Sequence, residues 1–426
     1  MKDFKLLVSA LAMAGAVFMF SSCSDEQAFT EPVADLEDLE DGQVIKGKYV
    51  ITLGQGFESG RVARQNFISR DEKIDFYEGH EATTIKKIDK FLAGHGISPE
   101  SVSHYYSAAI VGFAAQLTDD QVKALRADNT VLSLEEDVAV KLNHVVEEVI
   151  EAGSDNGRTE AQTTPCGITR AGGAKTSGVS TSILAWVVDT GIDLDHPDLR
   201  VATQYSSGTV IGRSFVGGSA NDCNGHGTHV AGTIGAVNNS IGVVGVAAGA
   251  YVIPVRVFGC SGGSSSSTIT AGINHVAKYD YNGDVMNLSL GGYAGPSCSS
   301  SNAYMSSINA VANGGTKIAI AAGNSSAFAD YYQPGCIDRS NVLTVASMTC
   351  NRSFSSFSNY GRPPIDFIAT GSSVYSTYLN GGYATLSGTS MAAPHVAGIL
   401  VARNKSNPRT CGSVTRSGVS YPIACR

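Results

Sequence analysis

The sequence predicts an α/β protein with a mainly parallel sheet, preceded by a smaller α+β unit. From Ala161 onward, short apolar runs alternate with helical stretches, which is the pattern of strands joined by crossover helices. Before it, segments follow one another in the order β-α-β-β-α-β. The charge also steps at this boundary. Residues 1–160 hold 28 Asp and Glu against 15 Lys and Arg, a net of −13, while residues 161–426 hold 10 against 15, a net of +5, and no glutamate.

In the larger unit, residues 161–426, the runs Ile183–Val188, Val252–Phe258, Val285–Leu290, Ile318–Ala322 and Val342–Ala346 read as strands buried on both faces. Thr268–Ala277 and Tyr304–Ala312 read as helices between them. In the smaller unit, residues 46–141, Lys48–Leu53 is a strand. Thr84–Leu92 is a helix with Ile85, Ile88 and Leu92 on one face. Ser101–Gln116 is strand-like around Gly112. Thr118 and Gln121 form a capping box that opens a second helix through Leu125, and Val131–Glu136 is the last strand. That order predicts a ferredoxin-like sandwich. Residues 142–160, and the polar stretch Asn143–Thr164 as a whole, read as an exposed linker open to proteolysis.

Residues 1–22 have the makeup of an export signal: Lys2 and Lys5, an apolar Leu6–Phe20, then small residues before Cys23. This resembles a bacterial lipoprotein signal, which implies a lipid on Cys23 and an acidic tether over residues 23–45. Elsewhere no run approaches the roughly 18 apolar residues of a membrane span. No Lys/Arg cluster is dense enough for a nucleic-acid patch. Beyond Cys23 lie Cys166, Cys223, Cys260, Cys298, Cys336, Cys350, Cys411 and Cys425. An even set in an exported chain reads as disulfides, and the lack of any C-x-x-C pair weighs against zinc.

Three segments carry chemistry. Asp189 ends the apolar run AWVVD, where a poorly solvated carboxylate needs a partner such as an imidazole N–H. It could also cap a turn, or belong to a D-T-G aspartic dyad, which would require a homodimer because no second copy of the motif occurs. His226 lies between glycines in NGHGTH, at a helix start, as a base or, with His229, a metal ligand; no H-E-x-x-H occurs. Ser390 lies in SGTSMAAPH at another helix start, where backbone N–H groups favour developing negative charge, or where serine merely caps.

Taken together, Asp189, His226 and Ser390 with their neighbours resemble the triad segments of the subtilisin family over about Ala161–Val401. The resemblance implies a subtilisin-like three-layer domain and a serine endopeptidase in which Ser390 attacks, His226 takes the proton and Asp189 holds the imidazole. Ala321-Ala322-Gly323-Asn324 resembles the oxyanion-hole segment, with the Asn324 amide as donor. Gly262, Gly263 and Ser264, with Ser289, Leu290 and Gly291, resemble the backbone segments that flank a bound peptide. Ser289–Gly291 and Ala321–Gly323 would wall the pocket before the scissile bond; being small and uncharged, they imply apolar or aromatic preference. The closest likeness is to the proteinase K and aqualysin group. It implies disulfide Cys223–Cys260, processing near Thr159–Ala161 and a structural calcium on Asp366 with carbonyls near Ser340 and Val342, with no cofactor needed for the chemistry. Proximity in sequence suggests Cys336–Cys350 and Cys411–Cys425, leaving Cys166–Cys298. Residues 46–141 resemble the inhibitor-type propeptide, which implies a zymogen blocked by its own acidic pro-region facing a basic enzyme. Protein and peptide substrates, a monomer, and a lipid-anchored precursor at the outer membrane or cell surface releasing a soluble enzyme complete the expectation. The residues after Val401 are few, so the family's closing elements look reduced.

Overall fold

The computed structural model describes residues 38–54, 56–57, 67–151, 161–295, 298 and 302–426; Cys23 and its signal lie outside them. The first unit runs β1 (Val44–Leu53), α1 (Arg70–Gly94), β2 (Val102–Ser107), β3 (Val111–Gln116), α2 (Asp119–Arg126) and β4 (Val131–Lys141). Its strands lie in the antiparallel order β4-β1-β3-β2, the ferredoxin-like arrangement. Ile51, Ile88, Leu92, Phe113 and Leu125 close its core. The Thr118–Gln121 box forms in both directions.

Helix α1 is much longer than the expected Thr84–Leu92. Ser69 caps it, accepting from Glu72 N–H at 3.1 Å, with Asp71 and Glu72 in the favourable first turn. The added turns are mostly polar, so apolar periodicity does not mark them. They are held by the larger unit instead: Arg70 forks onto Asp284, and Lys73 bonds Asp280. Here the acidic unit supplies the cations and the basic unit the buried acids, the reverse of the expected pairing.

A short strand, β5 (Val145–Ile150), follows β4. The stretch expected as a bare linker is therefore partly a strand. Its residues are mostly exposed, and what holds them is backbone pairing, not apolar content.

In the larger unit the strands are β6 (Ala185–Asp189), β7 (Tyr251–Arg256), β8 (Gly263–Ser265), β9 (Val285–Leu288), β10 (Lys317–Ala321), β11 (Val342–Met348), β12 (Ile365–Thr370), β13 (Val374–Thr377), β14 (Tyr383–Ser387), β15 (Arg409–Arg416) and β16 (Val419–Cys425). The helices used below are α3 (His226–Gly235), α4 (Ser266–Tyr279), α5 (Ala303–Asn313) and α6 (Thr389–Ala402). The main sheet has the order β15-β16-β12-β11-β10-β9-β6-β7, extended by the two-residue strands Arg200–Val201 and Arg213–Ser214. All pairs from β16 to β7 are parallel. On β6, Trp186 and Val188 enter one core while Ala185 and Val187 enter the other, so the run has no polar face.

The C-terminal residues form a hairpin on the sheet edge, with Tyr421 buried and its hydroxyl accepting from Gly361 N–H at 2.9 Å. Disulfides Cys223–Cys260 and Cys411–Cys425 are as expected. The other two are not: Cys166 joins Cys350 across 6.1 Å between Cα atoms, and Cys298 joins Cys336 across 6.2 Å. Sequence proximity misleads here because the turn carrying Cys350 faces the helix that begins at Cys166, whose Arg170 donates to the Cys350 carbonyl at 3.0 Å. Replacing Cys411 and Cys425 together by serine should lower unfolding stability by about 3 kcal/mol, read as the urea midpoint. A loss under about 0.5 kcal/mol would show that the hairpin holds without its staple.

Candidate active site

Asp189 ends β6, is fully buried, and accepts from Thr190 N–H at 2.8 Å and from His226 Nδ1–H at 2.7 Å. A carboxylate in that place needs such donors, and its acceptance selects the tautomer that leaves Nε2 with a lone pair. His226 opens α3 because Gly225 precedes it at φ 103°, and a Cβ on Gly225 would lie 2.2 Å from the Tyr378 ring. Asp222 fixes the same turn, accepting from Gly225 N–H at 3.0 Å and from the Thr228 hydroxyl at 2.7 Å. His229 is committed elsewhere. Its Nε2 bonds the carbonyls of Val374 and Ala384 at 2.9 and 3.2 Å, and burial pushes its pKa down to about 3. It is a structural histidine, which removes the metal-pair reading.

Ser390 is the second residue of α6 and is buried. Its hydroxyl donates to the Ser289 carbonyl at 3.1 Å, and its own carbonyl accepts from the Ser289 hydroxyl at 2.7 Å. The His226 Nε2 makes no hydrogen bond with any described residue. The expected direct bond from Ser390 to His226 is thus not made in this state. The serine hydroxyl is turned to Ser289, and the His144 ring lies 4.6 Å from the His226 ring.

Asn324 is the best-defined part of the site. Its Oδ1 accepts from both the N–H and the hydroxyl of Thr389 at 2.8 Å, which leaves Nδ2 to donate to the Asn143 carbonyl. The Thr389 hydroxyl also accepts from Gly323 N–H at 3.1 Å. Asn359 holds the loop from behind, accepting from Ser325 N–H and Ala327 N–H at 3.0 and 3.1 Å and donating to Ala322 O at 2.9 Å. Sequence reading missed Thr389 and Asn359. The first hides inside the serine segment, where only its adjacency to Ser390 hints at a role; the second sits in a stretch with no local pattern.

One of the segments expected to flank a peptide lies against the end of β4. Gly263, Ser264 and Ser265 pair antiparallel with Lys141, Val140 and Ala139, and Gly262 O accepts from Leu142 N–H at 3.0 Å. Ser289, Leu290, Gly291, Ala321, Gly323 and Asn324 line a cavity together with Thr389 and Ser390. Ala322 does not line it. Its N–H bonds Val345 O at 3.0 Å and its side chain is buried beneath.

Asp366 accepts from Thr344 N–H at 2.9 Å. Burial first, and then the neighbouring Asp338, push its pKa up to about 6. A partly desolvated carboxylate beside a second negative charge fits a hard cation. No group of three or more His, Cys, Asp or Glu converges for a metal among the described residues, so carbonyls would have to complete the shell.

Comparison with known proteins agrees with this geometry. Residues 181–416 match the subtilase family model, and residues 48–143 match that of peptidase inhibitor I9. The chain is 32% identical to an extracellular serine proteinase of Thermus sp. (strain Rt41A), over 95% of this chain and 92% of that protein. It is 35% identical to alkaline serine exoprotease A of Vibrio alginolyticus, over 81% of this chain and 60% of that protein. It is 42% identical to subtilisin Savinase of Lederbergia lenta, over 58% of this chain and 87% of that protein. The chain belongs to the subtilase family of serine proteinases, with an inhibitor I9 propeptide ahead of its catalytic domain.

Proposed function

We propose that the chain is an exported endopeptidase that hydrolyses peptide bonds through Asp189, His226 and Ser390, with Asn324 stabilising the oxyanion. One observation carries this reading: the Asn324 amide, oriented by Thr389, donates to a peptide carbonyl beside Ser390. Ser390 Oγ attacks the carbonyl carbon while its proton passes to His226 Nε2. Asp189 steadies the imidazolium, and the proton then goes to the leaving amine. Water repeats the sequence on the ester and releases the acid. The charge that builds on the carbonyl oxygen meets a donor already in place, so little reorganisation is needed.

The uncharged walls Ser289–Gly291, Ala321 and Gly323 favour apolar or aromatic residues before the scissile bond. Export follows from the signal-like N-terminus, and the Thermus relative is named as extracellular. Lipidation at Cys23 would anchor only the precursor. A calcium ion on Asp366 would offset the negative charge of Asp366 and Asp338 and stiffen the turn that leads into β11.

Ser390→Ala should abolish hydrolysis of a chromogenic peptide ending in an apolar or aromatic residue, and Asn324→Ala should lower kcat about 10²–10³-fold with KM little changed. Thr389→Val, which removes one of the two donors that orient the Asn324 amide, should lower kcat by about tenfold in the same assay. Full activity in Ser390→Ala would overturn the assignment.

The Asp366 pKa gives a pH test. A carboxyl whose folded pKa is raised binds its proton more tightly in the folded state, so that contribution is present at low pH and lost as pH rises from about 4 to 6. In chelator, Asp366→Asn should therefore gain Tm relative to wild type over this window. Calcium should reverse the order by stabilising only wild type. A Tm difference independent of both pH and calcium would remove the cation from Asp366.

A further inference from the structure

The described chain runs through its own cleft in the sense of a substrate. Ala139–Lys141 pair with β8 on one side of Ser390. The Asn143 carbonyl takes the bond from Asn324. His144 comes next, its Cβ 3.6 Å from where a Cβ on Gly388 would stand and its ring 4.6 Å from that of His226. Beyond it β5 pairs antiparallel with β14, Val145 opposite Ser387 and Ile150 opposite Tyr383, and the Ser387 hydroxyl donates to Glu147. Strand pairing on both sides brackets the short stretch Leu142–His144, within which Asn324 holds the Asn143 carbonyl, and the inhibitor I9 match ends at Asn143.

The other end of the linker is also seated. Ala161 pairs with Ile241 and Thr163 with Val243, and Thr163 N–H donates to Gly242 O at 2.7 Å. The start of the catalytic domain thus occupies its place while Asn143 is still in the cleft. Cutting at Asn143 does not require the domain's first strand contacts to move.

We propose that the first self-cleavage breaks the Asn143–His144 bond, not a bond near Thr159–Ala161, and that residues 144–160 stay on the enzyme with β5 still paired to β14 on the leaving-group side. This rests on the endopeptidase reading above. Ser390 Oγ bonds to the Asn143 carbon, its proton passes by His226 to the His144 nitrogen, and the C–N bond breaks. Water then cleaves the ester, giving an Asn143 carboxylate and a His144 amine. The new end at Ala161 comes from a second cut, and until then the paired strand partly fills the cleft. Tethering raises the local concentration of this one bond far above that of any free peptide, so Asn143 need not match the pocket's preference.

The test is a time course on the full-length precursor, read by intact mass and N-terminal sequencing, for wild type, Ser390→Ala and His144→Pro. Wild type should first yield a chain beginning at His144 and a fragment ending at Asn143, at a rate independent of concentration. Ser390→Ala should yield neither. His144→Pro, whose ring displaces the leaving nitrogen, should slow the first cut by about 10²-fold or more, with far-UV circular dichroism reporting whether it folds. Peptide hydrolysis by matured wild type separates the two claims. If hydrolysis is present but the first new end lies at residues 159–161 with no chain beginning at His144, the bond assignment is overturned. If hydrolysis is absent, the endopeptidase reading falls with it.

Discussion

The structure of this protein turns on one desolvated carboxylate. Asp189 sits where the central strand β6 stops, with no exposed surface, and a carboxylate so placed needs N–H donors in place of water. Thr190 and His226 supply them. That demand brings the start of α3 to the end of β6, and it explains why glycines surround His226: Gly225 takes a left-handed turn, and a Cβ on Gly227 would stand 2.1 Å from the Gly191 carbonyl. The second helix of the site, α6, is placed by a different device. Ser289 bonds the Ser390 backbone from β9, and Thr389 bonds Asn324 from the end of β10. Three neighbouring strand ends therefore bring the His226 imidazole, the Ser390 hydroxyl and the Asn324 amide to the carboxyl end of the sheet, the usual place for ligands in open α/β folds.

The first unit holds itself in the cleft by charge as well as by strand pairing. Asp137 accepts from Ser266 and Ser267 at the start of α4, and Glu135 accepts from Ala303 N–H at the start of α5. Carboxylates at helix N-termini are favourable twice, through hydrogen bonds and through the helix dipole. At the far end the polarity reverses, with Arg70 and Lys73 on Asp284 and Asp280. Both acids are almost fully buried, and Asp284 also accepts from Leu184 N–H and Trp186 Nε1 at 3.0 Å. Net charge did not foretell this, because what matters at a contact is which few charges are buried there.

Much of the architecture was legible in sequence. The buried strands declare themselves as apolar runs, the Thr118–Gln121 box marks its helix, and the three catalytic segments stand out through glycines and small residues that only close backbone approach requires. What was not legible depends on partners distant in sequence. The early turns of α1 and the strand β5 are polar and gain their hold from the other unit. Two disulfides join cysteines that sequence order separates. Thr389 and Asn359 act through Asn324 and its loop, and nothing in their neighbours announces that.

The central claim is that Ser390 is made nucleophilic by the buried His226–Asp189 pair. The most direct measurement is labelling of the matured enzyme with a fluorophosphonate, followed by peptide mapping. The account predicts a single adduct, on Ser390, that forms at least about 10³-fold more slowly in His226→Ala. Labelling at another residue, or at an unchanged rate without the imidazole, would contradict it.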